Sequence, residues 1–148
     1  MKGLYEDQIP SEIDPECGLP IGPKMDHPEP AKPPQRVTLE GRYCRLEPLN
    51  AARHGGELFA ASTPPNAPGL FRYLADTPPA SMDEFTGWMN TAVASEDPLF
   101  FAVIDRRTGR VEGRQTLMRI TRAHQCIEIG NIYWGPAISR SPVTTEAN

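Results

Sequence analysis

The stretch that decides the fold is Glu128–Ala147, EIGNIYWGPAISRSPVTTEA. Its first half continues an apolar run, CIEIGNIYW from Cys126 to Trp134, that alternates early and then carries Gly130 and Asn131 in its interior. That pattern predicts a strand with a bulge, ended by Pro136. Ala137–Ser141 follows as a short loop, and Pro142 then opens a helix in its first turn, where a missing N–H costs nothing. Strand, bulge, loop and helix start in that order form a candidate anion site, because the first helical N–H groups lack intrahelical acceptors and the helix dipole adds to their pull. A plain strand-to-helix connection would have the same pattern.

Working outward toward the N-terminus, Arg110–Ile120 reads as a strand joined to the apolar run Leu99–Ile104, LFFAVI, through the polar turn Asp105–Gly109. The LFFAVI run is long enough for a strand buried on both faces and too short for a helix. Before it, Ser81 and Glu84 make a capping box, and Phe85, Trp88, Met89, Ala92 and Val93 follow helical spacing to about Ala94. Residues 62–69, STPPNAPG, read as a loop leading to the aromatic cluster Phe71, Tyr73 and Leu74. Asn50 caps a short helix over 51–61, weakened by Gly55 and Gly56 at about 1 kcal/mol each. RVTLEGRYCRLEPL, from Arg36 to Leu49, reads as one strand interrupted near Gly41.

The first 36 residues differ in kind. Eight of the chain's 17 prolines fall there, among scattered acids and almost no apolar periodicity, so an extended arm is expected. Pro30 and Pro33 make a PxxP match of the sort that so much proline produces by chance. Within 148 residues there is room for one domain with a core, here 37–148, and the proline content excludes a helical bundle or coiled coil. A net charge of -4 argues against a general nucleic-acid or anionic-membrane binder. The sequence has neither a signal peptide's apolar core nor 18 consecutive apolar residues, so a cytoplasmic protein is expected. Cys17, Cys44 and Cys126 stand too far apart for a metal-ligand spacing, and reduced thiols are expected.

The order of strand, helices, three-strand antiparallel meander and phosphate-type loop over 37–148 resembles the GNAT N-acetyltransferases. VTLEGRYCRLEPL at one end and SPVTTEA at the other look most like the ribosomal-protein N-terminal acetyltransferases of the RimJ/RimL type. The resemblance implies an α+β fold with a GNAT-like mixed sheet, here truncated before its C-terminal half. It also implies transfer of acetyl from acetyl-CoA, as cosubstrate, to a primary amine on a protein N-terminus or a small molecule. In that family a loop of pattern Q/R-x-x-G-x-G/A holds the pyrophosphate. Aligning TEA at Thr145–Ala147 gives that role to Ser139, Arg140, Ser141, Val143, Thr144 and Thr145, with Ser139, Pro142 and Thr144 departing from the pattern. Arg140 is either a charged fork for phosphate or a solvated loop arginine.

The bulged strand of the family holds pantetheine with backbone groups, which falls on Ile132, Tyr133 and Trp134. Tyr133 and Trp134 are expected either as groove walls or as core aromatics. Glu128 is the candidate base, directly or through water, with a solvent-facing strand glutamate as the alternative. The family's thiolate acid is expected beyond Asn148, which makes an incomplete and inactive domain the expectation for this chain. An uncovered sheet edge would then invite self-association. Arg106, Arg107, Arg110, Arg114, Arg119 and Arg122 read as the charged solvent face of the meander or as partners for phosphate. Two other readings compete: a non-catalytic acetyltransferase-like interaction module, and an unrelated small α+β binding domain.

Overall fold

The computed structural model describes residues 12–22 and 29–148. The chain divides into two units, Met1–Pro30 and Ala31–Asn148. In the first, the described residues form a small hairpin where an extended arm is expected: β1 (Glu12–Ile13) pairs antiparallel with β2 (Pro20–Ile21). Asp14 sets its turn, accepting from Glu16 N–H through Oδ1 at 2.8 Å and from Gly18 N–H through its carbonyl at 2.8 Å. Pro20 is tolerated because a two-stranded ribbon has no interior strand to interrupt. Residues 1–11 and 23–28 of the expected arm lie outside the described residues.

The second unit is a five-stranded antiparallel sheet in the order β3-β4-β5-β6-β7. Its strands are β3 (Leu39–Glu40), β4 (Cys44–Pro48), β5 (Leu99–Asp105), β6 (Arg110–Thr121) and β7 (Cys126–Trp134). The helices are α1 (Ala51–Ser62), α2 (Ala67–Leu70), α3 (Met82–Ala94) and α4 (Pro142–Ala147). The three-strand meander is present as β5, β6 and β7. Two expectations need correction. The single strand expected near Gly41 is a hairpin of β3 and β4, and the loop expected over 62–69 contains the short helix α2.

β5 lies at the centre, and all seven of its residues are buried. Its period-two alternation sends Phe100, Ala102 and Ile104 to one core and Leu99, Phe101 and Val103 to the other. The first core is covered by α1 through Leu58 and by α3 through Phe85, Met89 and Ala92. The second is covered by Ile138, Val143 and Ala147 from the last loop and α4. At about 1.5–3 kcal/mol for each large side chain removed from water, this strand organises both layers. The helix starts are capped as the sequence predicts: Asn50 Oδ1 accepts from Arg53 N–H at 2.9 Å, and Ser81 Oγ accepts from Glu84 N–H at 3.2 Å. The Glu84 carboxylate reaches back one residue further than a capping box requires, to Ala80 N–H.

Candidate functional site

The β7 bulge forms at Asn131–Ile132. Arg114 pairs with Tyr133 and Thr116 with Gly130, so two residues of β7 stand against the single Gln115 of β6. Asn131 takes the left-handed turn, φ 46°, a conformation that asparagine tolerates better than most residues. Beyond the bulge, Gly135 N–H donates to Glu112 C=O at 2.7 Å. Because alternate residues of an antiparallel strand point opposite ways, the Trp134 N–H and C=O point away from β6, toward the free edge of β7.

The loop from 135 to 141 is wound tightly. Ser139 N–H donates to Gly135 C=O at 3.2 Å, Ser141 N–H to Ile138 C=O at 3.2 Å, and Val143 N–H to the Ser141 hydroxyl at 3.3 Å. The Thr144 and Thr145 N–H groups both reach Ser141 C=O, and the Thr144 hydroxyl donates there too. Ala137 and Arg140, the latter at φ 57°, are left as the loop residues whose N–H groups meet no acceptor among the described residues. Val143 and Thr144 are buried, whereas Ser139, Arg140 and Thr145 are exposed. A crevice beside the loop is bordered by Arg140, Ser141, Pro142, Thr145 and the turn residue Tyr43.

Among the residues expected in the groove, Tyr133 takes the second of its two readings, a core aromatic. It is 1% exposed, packs on Phe71 with ring centroids 4.6 Å apart, and donates its hydroxyl to Ala61 C=O at 2.6 Å. Burial pushes its phenol up to about 12. Trp134 is half-buried, and its Nε1 is a buried donor without an acceptor among the described residues. Ile132 is half-buried. Glu128 stands exposed on β7, its Oε2 accepting from Arg119 Nη1 at 3.0 Å.

Three features escaped the sequence. Glu146, read only as part of TEA, accepts the N–H groups of Arg42 at 2.7 Å, Tyr43 at 2.6 Å and Cys44 at 2.8 Å, and so fastens α4 to the β3–β4 turn. Those three donors, the Cys44 amide foremost, lower its carboxyl to about 2. Gly41 is needed there because a Cβ would run into the Glu146 carboxylate. Second, His54 is buried with a partner on each ring nitrogen. Asn50 N–H donates to its Nδ1 at 3.1 Å, and its Nε2 lies 3.2 Å from the buried Glu47 carboxylate, which also binds Arg45 and Arg53. Burial lowers the His54 pKa against the opposing pull of Glu47.

Third, Arg114 does not belong to a solvent face. Its side chain is 3% exposed, with Nη2 on Asp76 Oδ2 at 2.6 Å and Nη1 on the Asn131 side chain and carbonyl. Its guanidinium lies 4.7 Å over the Trp88 ring. Burial lowers its pKa, opposed by Asp76. The other meander arginines are exposed, and Arg106, Arg107, Arg110 and Arg119 stand beside Glu40, Asp105, Glu112 and Glu128. A sequence signal for Arg114 existed in its place between Gly113 and Gln115, opposite the predicted bulge, but its carboxylate partner comes from a loop without periodicity. Beside Arg114, a cavity of about 230 Å³ opens between α3 and the chain leading into it.

No protein-family model and no curated protein matches the chain. Solved structures do. A GCN5-related N-acetyltransferase from Brucella melitensis is 58% identical with a TM-score of 0.79, over 80% of this chain and 54% of that one. A proposed GNAT-family acetyltransferase from Chromobacterium violaceum is 27% identical with a TM-score of 0.74, over 87% of this chain and 64% of that one. A proposed ribosomal-protein-serine acetyltransferase from Vibrio cholerae, 15% identical with a TM-score of 0.60, shares the fold. The chain thus spans less than two thirds of the Brucella and Chromobacterium proteins. The antiparallel sheet, the bulged β7 with its loop into α4, and these likenesses together identify the α+β fold of the chain as that of the GCN5-related N-acetyltransferases.

Proposed function

We propose that the chain supplies the acetyl-CoA side of an N-acetyltransferase of the RimJ/RimL type that acts on a primary amine. The observation that carries this reading is the bulge at Asn131–Ile132, on an edge strand that runs directly into the wound loop before α4. Donors suited to the acceptor groups of acetyl-CoA are at hand: the free Ala137 and Arg140 N–H groups and the outward Trp134 N–H. In the reading, Ser139, Arg140, Ser141, Val143, Thr144 and Thr145 hold the phosphate end, and Ile132, Tyr133 and Trp134 the pantetheine end. Tyr133 sets the geometry of that stretch without offering a group of its own, since its ring is committed to the core and its N–H and C=O face Arg114 in the ladder. Bound acetyl-CoA would supply an activated acetyl: the substrate ammonium loses a proton, its nitrogen bonds to the acetyl carbon, and the C–S bond breaks with CoA leaving as the thiolate, which takes up a proton from water. Glu128 is the proposed proton acceptor, and its release from Arg119 would precede that role. A reducing, cytoplasmic setting and self-association along the β7 edge, where Ile127 and Ile129 are exposed, complete the reading.

The test is titration with acetyl-CoA. Arg140→Pro removes a free loop N–H and cannot take φ 57°, so binding should be abolished. Arg140→Ala should weaken it by a modest factor. Equal affinity in the wild type and Arg140→Pro overturns the assignment of the loop. Glu128→Gln should lower kcat in acetyl transfer at unchanged acetyl-CoA affinity.

A further inference from the structure

The 230 Å³ cavity at Arg114 has a definite chemical character. Its walls are the rings of Phe71, Phe85 and Trp88, with the Phe85 and Trp88 rings stacked at 5.3 Å. Its charged groups are Asp76, Glu84 and Arg114. The Arg114 charge is already spent on Asp76, on Asn131 and over the Trp88 ring. Asp76 is neutralised by that pair in turn, and the one unbalanced charge at the cavity is that of Glu84, yet each carboxylate keeps a second oxygen. Asp76 uses Oδ2 for Arg114 and Glu84 uses Oε2 for Ala80 N–H, which leaves Asp76 Oδ1 and Glu84 Oε1 without partners among the described residues. The Asp76 side chain is 30% exposed at the cavity. The cavity therefore carries one net negative charge over aromatic faces, which attracts a cation and repels a carboxylate. Its volume is below the roughly 300–1,000 Å³ of drug-sized ligand sites, so it takes one aryl or short alkyl group. Arg114 also links it to the groove, because Nη1 reaches the Asn131 carbonyl in the bulge at 3.3 Å.

We propose that this cavity is a specificity pocket for the acceptor, and that the acceptor is a cationic primary amine on a small aromatic or apolar group with no carboxylate beside the amine. The assignment rests on the acetyltransferase reading for the word acceptor, while the binding preference stands on the cavity alone. Asp76 and the aromatic rings make the contacts. Arg114 is a positioning residue, holding Asp76 at the rim and the bulge beside it.

Three probes with one ring separate the charge terms: 2-phenylethylamine, phenylalanine and 3-phenylpropionate. Calorimetric titration of the chain without acetyl-CoA should show 2-phenylethylamine binding at least tenfold more tightly than either carboxylate. Asp76→Asn should cut that preference to less than threefold. Ala75→Trp, which fills the cavity and leaves the Arg114–Asp76 pair intact, should abolish amine binding, and it serves if Asp76→Asn unfolds. Equal or tighter binding of the carboxylates, no amine binding, or amine binding untouched by Ala75→Trp overturns the proposal. A parallel titration with acetyl-CoA keeps the two readings apart. Amine binding without acetyl-CoA binding leaves the pocket standing and removes the acetyltransferase reading, whereas acetyl-CoA binding with no amine binding, or with amine binding that Ala75→Trp does not affect, removes the pocket and keeps that reading.

Discussion

Glu146 accepts three consecutive backbone donors with one exposed carboxylate. Its pKa in the folded chain, about 2, lies below its ordinary value of 4.5, so its contribution to stability is present above pH 4.5 and is lost as pH falls from there toward 2. Glu146→Gln removes the charge and keeps one acceptor oxygen. The thermal midpoint of the wild type should exceed that of Glu146→Gln at neutral pH, and the gap should close over that acidic window; a gap independent of pH would contradict the account. Tyr133 offers a second measurement. Tyr133→Phe leaves Ala61 C=O without its partner and should cost about 0.5–1.5 kcal/mol in denaturant unfolding. TEA was visible in the sequence, but the role of its glutamate was not, because its donors lie more than a hundred residues away in a turn that reads as strand. His54 was illegible for a related reason: its partner Glu47 belongs to a different element seven residues earlier.

Elements with their own periodicity were legible. The α3 capping box, the LFFAVI strand and the bulge near Gly130 and Asn131 all stand where local spacing puts them. What spacing did not show was which residue of the pair turns. Gly130 is the more permissive residue, yet Asn131 carries φ 46°, because its side chain then reaches Arg114. Asn131→Gly keeps the turn and loses that acceptor, so it should destabilise by about 1.5–3 kcal/mol, the range for a hydrogen bond to a charged group. Asn131→Val adds the strain of a β-branched residue at positive φ and should cost more. Chemical denaturation of the two variants gives the order, and a reversal would mean that the turn matters less than the contact. The β3–β4 hairpin was missed because its turn is held by Glu146 rather than by a local turn signature.

At the scale of the whole molecule, the described segment 31–36 is tied to the second unit. Ala31 N–H donates to Arg122 C=O at 2.9 Å, Arg122 Nε returns to Ala31 C=O at 2.7 Å, and Arg36 reaches Ser95 C=O. Removing residues 1–30 should leave the thermal midpoint of the second unit within a few degrees, whereas removing 1–36 should lower it further. Scanning calorimetry of the two deletions tests the boundary, and equal midpoints would return it to residue 36. The sequence placed that boundary by composition, which registers proline but not one backbone and one side-chain bond made across 91 residues. The Glu146 clasp also sets an order of events during synthesis. Its acceptor follows its donors by 102 to 104 residues. At translation rates of about 5–20 residues per second, the 42–44 turn waits roughly 5–20 s outside the ribosome with three amides open to solvent or to a chaperone, until α4 arrives to close it.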